Sequence, residues 1–317
     1  MLHKHRTAPK LLKGLLALER RLPHHHERYK YITDELHNTR AGYGGELEYD
    51  RYMKEVRTDF PHAILHDLSL QHEGVFFQID SLFISPESII ISEIKNRADK
   101  IMITANPTQF LQVNDKGISQ LFRSPIAEVE RKVQFLEKWL RKRNIHAPVK
   151  GIIVFAYNNQ MQIEGKPSMP IYTSYEAPAF FRSLSPEKEI LGGRDISRIA
   201  KELTKSHREY NPYPLVKHYK IQPQSLKKGV FCLTCTVPSI MLWTSRRWEC
   251  RVCGKRDSDS HMAAIEEWFM LMPLKLTNQA FCEFTGITDR HTAKRMLARC
   301  KLKHQGLGRG SRYEQIP

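Results

Sequence analysis

Asp80, Glu93 and Lys95 stand in two β-rich runs, 75–84 and 89–95, separated by the turn Ser85-Pro86-Glu87-Ser88. If Ile84 pairs with Ile89, an antiparallel register puts Asp80 opposite Glu93, with Cβ atoms about 5 Å apart. The two-residue repeat of a strand then brings Lys95 to the face of Glu93. Two carboxylates at that separation can share a divalent cation, and a lysine beside them can stabilise charge developing on a substrate. Ionised groups in apolar strands cost free energy unless they are paired or bound to metal. The plain alternative is a cross-strand ion pair between Asp80 and Lys95, with Glu93 reaching solvent at a sheet end.

A second group is Cys232-Leu233-Thr234-Cys235 with Cys250-Arg251-Val252-Cys253, a C-x2-C-x14-C-x2-C pattern. Four thiolates in two knuckles complete the tetrahedral shell of structural Zn²⁺, and a closed shell leaves no position for a substrate. Ile240, Met241, Leu242, Trp243 and Trp248 suit the strands of a small ribbon that needs the metal to fold. A redox pair would need a thioredoxin-like setting, which the sequence lacks. Cys282 and Cys300 stand alone and are expected as buried thiols. Arg246, Arg247, Arg251, Lys255 and Arg256 surround the ribbon's aromatics, which suits phosphate contact with base stacking; a solvated surface is the alternative.

The elements that must position these groups follow from periodicity. Leucines from Leu11 to Leu22 at helical spacing predict an amphipathic docking helix over 10–22. A helix is expected to begin at the Gly-rich stretch near 42, followed by strands at 63–69, 75–84 and 89–95, a helix over 124–143, a strand at 149–156 and a helix over 194–206. That order indicates an α/β or α+β domain. Asn211-Pro212-Tyr213-Pro214 breaks regular structure and marks a linker. Near the C-terminus, a helix over 262–272, a helix from Thr277 to Phe284 and another over 288–297 flank a turn containing Gly286. This resembles a helix-turn-helix, with Thr288 or Asp289 as cap and Arg290, His291, Lys294 and Arg295 facing a groove or phosphates. Residues 302–313 suit two short strands around a basic wing carrying Arg309 and Arg312; for the module as a whole, a helical hairpin used in protein contacts is the alternative.

The 317-residue chain has 50 Lys+Arg against 34 Asp+Glu, a formal charge of +16. Residues 215–317 hold 18 of those cations and only 8 of the acids. A polyanionic partner is implied, nucleic acid before an acidic membrane surface. No apolar run reaches the length of a membrane-spanning helix, and the first ten residues lack the core of a secretory signal. Cysteines placed for metal and not for disulfides point to a reducing cytoplasm.

The motifs Gly42-Tyr43-Gly44-Gly45-Glu46, Ile79-Asp80 and Glu93-Ile94-Lys95-Asn96 together resemble the nuclease-related domain, or NERD, branch of the PD-(D/E)XK nuclease superfamily. The likeness extends over about 38–208. The family often carries Asn-Pro-x-x-Gln before the following helix, whereas this chain reads Ser124-Pro125-Ile126-Ala127-Glu128. The resemblance implies an α/β fold with a PD-(D/E)XK nuclease-like core, a mixed sheet flanked by helices. It also implies hydrolysis of DNA phosphodiester bonds with Mg²⁺ or Mn²⁺ held by Asp80 and Glu93. Lys95 would orient water or stabilise charge, and Glu46 and Glu128 would assist. Glu46 is otherwise an ordinary acid in a helix's first turn.

The domain plan is then an N-terminal helix and basic arm at 1–37, the nuclease-like domain at 38–208 and a linker at 209–226. A zinc ribbon at 227–258 and a winged-helix-like module at 259–317 follow. The function expected is a cytoplasmic, metal-dependent deoxyribonuclease targeted by its C-terminal modules, with oligomerisation left open. The alternative is a DNA-binding regulator whose nuclease fold no longer cuts, and RNA is the less favoured ligand.

Overall fold

The computed structural model describes residues 1–105 and 107–316. In chain order it runs β1 (Leu2–Lys4), α1 (Lys10–Arg21), α2 (Tyr29–Met53), β2 (Ala63–His72), β3 (Val75–Ile84), β4 (Ile89–Lys95), β5 (Lys100–Ala105), β6 (Thr108–Val113) and β7 (Ser119–Phe122). Next come α3 (Pro125–Arg141), β8 (Val149–Phe155), β9 (Met161–Glu164), β10 (Ile171–Thr173), α4 (Ala177–Ser183), α5 (Gly193–Ser206) and α6 (Leu215–His218). The C-terminal third contains β11 (Val230–Phe231), β12 (Ile240–Thr244), β13 (Arg247–Glu249), β14 (Arg256–Asp257), α7 (His261–Leu271), α8 (Asn278–Thr285), α9 (Arg290–Arg299), β15 (Leu302–Gln305) and β16 (Arg312–Gln315). No helix among the described residues is long and apolar enough to cross a membrane.

Two compact units result, one of Met1–Ala8 with Arg40–Tyr210, the other of Pro9–Thr39 with Asn211–Pro317. The first is a mixed six-stranded sheet ordered β1-β2-β3-β4-β8-β10, accompanied by a smaller sheet ordered β7-β6-β5-β9. Leu82, Ile84, Ile89 and Ile91 bury one sheet face with Trp139 and Leu140 of α3 and Ile196, Ile199 and Leu203 of α5. Phe83, Ile90 and Ile94 bury the other with Tyr49 and Met53 of α2 and Phe181 of α4. Alternation along one strand thus serves two apolar layers, as expected of a sheet covered by helices on both faces.

Several expectations change. The helix expected near 42 begins at Tyr29, so Glu46 lies deep within α2 and not in a first turn. Of its glycines only Gly45 is required by packing: a Cβ there would lie 2.6 Å from Asn96 Cβ and 3.0 Å from Ala156 Cβ. The expected arm, 1–37, is divided between the units, with β1 pairing in parallel beside β2. Residues 209–226 are not a plain linker, for α6 forms there and buries Leu215 and Val216. The ribbon and the helices after it share one core, in which Val230, Met241 and Trp248 pack with Ala264, Trp268, Phe281 and Leu297. Short apolar strands bury too little to stand alone, and the apolar faces of the three helices offer them a floor.

Candidate active site

The β3–β4 ladder runs Ile84↔Ile89 to Ser81↔Ser92, the register expected from the turn. It ends there, and Asp80 Oδ2 accepts a hydrogen bond from the Ile94 N–H at 2.9 Å instead. Asp80 also marks a slip in the pleat: the α3 side receives Ile84 and Leu82, then Ile79 and Phe77. Opposite it on β2, Asp67 takes a left-handed φ of 52°. A non-glycine residue in that region is uncommon and collects at functional sites.

Glu93 is 2 % exposed. Lys95 Nζ donates to Glu93 Oε1 at 2.8 Å and to Glu128 Oε2 at 2.8 Å. Lys132, one turn after Glu128 on α3, donates to Glu93 Oε2 and stands 3.6 Å from Glu128 Oε1. The cross-strand Asp80–Lys95 pair is therefore replaced by a square of two acids and two lysines. The glutamate at 128 brings its own counter-charge, and the i,i+4 spacing Glu128…Lys132 was the sequence signal for it.

From α2, Glu46 Oε2 accepts from Arg6 Nη1 at 2.6 Å. Asp50, one turn on, receives Arg6 Nε at 2.9 Å and Nη2 at 3.1 Å, and Nη2 reaches the Asp80 carbonyl at 2.7 Å. Arg6, Asp50 and Lys132 were not singled out from sequence. Arg6 has no periodic signal, because it follows a three-residue strand whose pairing only the fold supplies. His66 lies beside them, with Nδ1 3.0 Å from Ser81 Oγ and 3.2 Å from Asp50 Oδ1. Burial and the cations Arg6, His5 and Lys4 push its pKa down to about 3, so it is neutral at neutral pH.

Burial, then the Asp80 charge, pushes Glu46 up to about 8 against the pull of Arg6. The same two causes push Glu93 up to about 7, opposed by Lys132 and Lys95. Carboxylates are hard oxygen donors suited to Mg²⁺ or Mn²⁺, whose charge would relieve the repulsion that the Asp80 charge exerts on Glu46 and Glu93. Only the cysteines, among the described residues, bring three or more donor atoms within 4.8 Å of one another. Asp80 and Glu93 could hold an ion, and Glu46, turned to Arg6, would reach it through water.

Residues 41–156 match the family model of the nuclease-related domain. The chain carries a NERD domain. The match is narrower than the expected 38–208, yet it contains Glu46, Asp80, Glu93, Lys95 and Glu128; Arg6 lies outside it. No curated protein and no solved structure matches the chain.

In the second unit Cys232, Cys235, Cys250 and Cys253 hold their sulfurs within 4.8 Å of one another, all as free thiols. Sγ of Cys232 is 3.6 Å from that of Cys253, and Cys235 is 3.6 Å from Cys250. A tetrahedron with Zn–S bonds of about 2.3 Å has edges of about 3.8 Å, so the quartet fits Zn²⁺. Cys282 and Cys300 are half-buried and apart from it.

The cations expected at a nucleic-acid surface separate into groups. Arg246, left-handed with Ser245, forms the tip of the β12–β13 hairpin beside Arg247, and Arg251 stands in the second knuckle. Asp289 caps α9 by accepting from the His291 and Thr292 N–H groups. Arg290, His291, Lys294 and Arg295 are exposed on α9, whose Ala293, Met296 and Leu297 are buried. Arg312 is engaged within the β15–β16 hairpin by Gln305 and Glu314. The side chain of Arg309 lies outside the described residues.

Proposed function

We propose that this protein is a divalent-metal-dependent deoxyribonuclease whose C-terminal unit binds DNA. The observation that carries the reading is the buried Glu93, held by Lys95, with Asp80 on the neighbouring strand and Glu46 bridged to the Asp80 carbonyl through Arg6, inside a NERD domain. Asp80 and Glu93 would hold Mg²⁺ or Mn²⁺, which when bound polarises the phosphate and lowers the pKa of water. Lys95 Nζ, held at Glu93 Oε1, would orient that water or take up charge on the phosphate. Glu46, with Oε2 taken by Arg6, would hold a metal-bound water. Lys95 and Lys132 offset Glu128, so its charge does not repel phosphate unopposed.

The exposed α9 face and the ribbon hairpin support DNA binding, and three helices before a β-hairpin suit a winged-helix-like contact. Tethering this surface to the catalytic unit raises the effective concentration of the scissile strand. Zn²⁺ on the cysteine quartet would hold the ribbon, and six free thiols suit the cytoplasm.

A second reading is a DNA-binding regulator that does not cut, favoured by one observation: Lys132 and Arg6 already neutralise Glu93 and Glu46. Purified protein incubated with linear, circular and single-stranded DNA, in Mn²⁺, Mg²⁺ or EDTA, separates the two. Cleavage that needs metal and falls to background in Asp80→Asn and Glu93→Gln is expected. DNA binding without cleavage, equal in wild type and variants, would establish the regulator.

A further inference from the structure

Arg6 lies outside the matched NERD segment, yet its side chain is 1 % exposed. The guanidinium uses four of its five N–H bonds on acceptors from two elements: Glu46 and Asp50 of α2, and the Asp80 carbonyl of β3. It is delivered there by β1, whose Leu2 and Lys4 register beside Ile64 and Leu65. Lys4 anchors the same segment, donating to the His66 carbonyl at 3.0 Å and pairing with Asp67 at 3.7 Å. The Met1 amine ties down the start of the strand by donating to the His62 carbonyl at 2.9 Å.

We propose that Arg6 is a positioning residue that fixes Glu46 of α2 beside Asp80 of β3, so that the N-terminal strand is a working part of the carboxylate site. The inference rests on the reading of Asp80, Glu93 and Glu46 as a metal site. A planar fork with five donors suits the task, because it sets both the distance and the rotation of α2 against β3; a single ammonium would set only the distance. Arg6 takes the carbonyl of Asp80 and leaves its carboxylate to the Ile94 N–H. It therefore holds the frame of the site without consuming the Asp80 ligand oxygens.

The test is a double-mutant cycle on the full chain. Mn²⁺ affinity is read from the electron paramagnetic resonance of free Mn²⁺ for wild type, Arg6→Gln, Glu46→Gln and the double variant. Thermal midpoints in EDTA and kcat and KM at saturating Mn²⁺ are measured beside it. Arg6→Gln is expected to raise the Mn²⁺ Kd by about tenfold, as loss of a ligand-orienting partner does. In the Glu46→Gln background the same change is expected to add little. An unchanged Kd with a lowered thermal midpoint would make Arg6 a structural pin and overturn the proposal. A tighter Kd would overturn it too, by making Arg6 a competing cation. If Arg6→Gln does not fold, Arg6→Lys carries the same cycle, and a Kd equal to wild type sinks the idea. A wild type that binds no Mn²⁺ overturns the metal-site reading and this inference together, whereas failure of the cycle alone leaves the metal site standing.

Discussion

Glu93 shows how one buried side chain depends on its partners. It is held by Lys95 from its own strand and by Lys132 from α3, and both lysines also meet Glu128. Removing one member of a buried ion pair strands the other charge, which costs about 3 kcal/mol or more. Lys132→Met is therefore expected to lower stability by that order in urea denaturation. Glu128→Gln, whose side chain is 43 % exposed, is expected to cost under about 1 kcal/mol. Equal costs for the two would show that the square is not centred on Glu93. Asp80, Glu93 and Lys95 were legible as residues with a purpose because charge in an apolar strand demands one, whereas Glu128 was picked out only by the family resemblance. Lys132 was within reach of a helical-spacing argument, whereas Arg6 was not, since nothing local couples residue 6 to residues 46, 50 and 80.

Helix α2 carries its adaptation in neighbouring glycines. Gly44 has nothing within 4 Å of a built Cβ, while Gly45 would meet Asn96 and Ala156. Alanine in place of glycine inside a helix gains up to about 1 kcal/mol from propensity and unfolded-state entropy. Gly44→Ala is expected to gain that stability and Gly45→Ala to lose stability despite the same propensity gain, as read by denaturant midpoints. Stabilisation by both would mean that α2 can move off the sheet at no cost. The double glycine thus has two meanings that sequence could not separate. Close approach is a property of the facing strands β4 and β8, and only their arrangement says which glycine needs the space.

The chain crosses between its units three times, at 8/9, 39/40 and 210/211, so neither unit is a continuous segment. Within the second, Arg21 of α1 is fully buried, donating to Glu267 of α7 at 2.7 Å and to the Lys227 and Gly229 carbonyls, with Phe284 3.9 Å from its guanidinium. Cys232 and Cys250 belong to the same apolar core as the helices. Zinc removal is therefore expected to loosen ribbon and helices together, lowering stability by more than about 5 kcal/mol. Fluorescence of Trp248 and Trp268, both buried in that core, would follow the transition. Chelation that leaves the helices' denaturation midpoint unchanged would show that the ribbon is an independent module.

By itself the sequence determined what is local or periodic: the register of 81–84 on 89–92, the helix over 124–143, the cysteine quartet and the capped helix after Gly286. In each, spacing along the chain sets spacing in space, through strand alternation, helical turns or a tight knuckle. The tertiary structure decided what is brought together from afar. It carried the start of α2 back to Tyr29, joined ribbon to helices in one core, and seated Arg6 on the acids of α2 and β3. Those contacts span 40 to 74 residues of chain for Arg6 alone, and no local preference encodes them. They form because burying the surrounding apolar faces fixes where the ends of the strands lie, and the charges found there must then be paired.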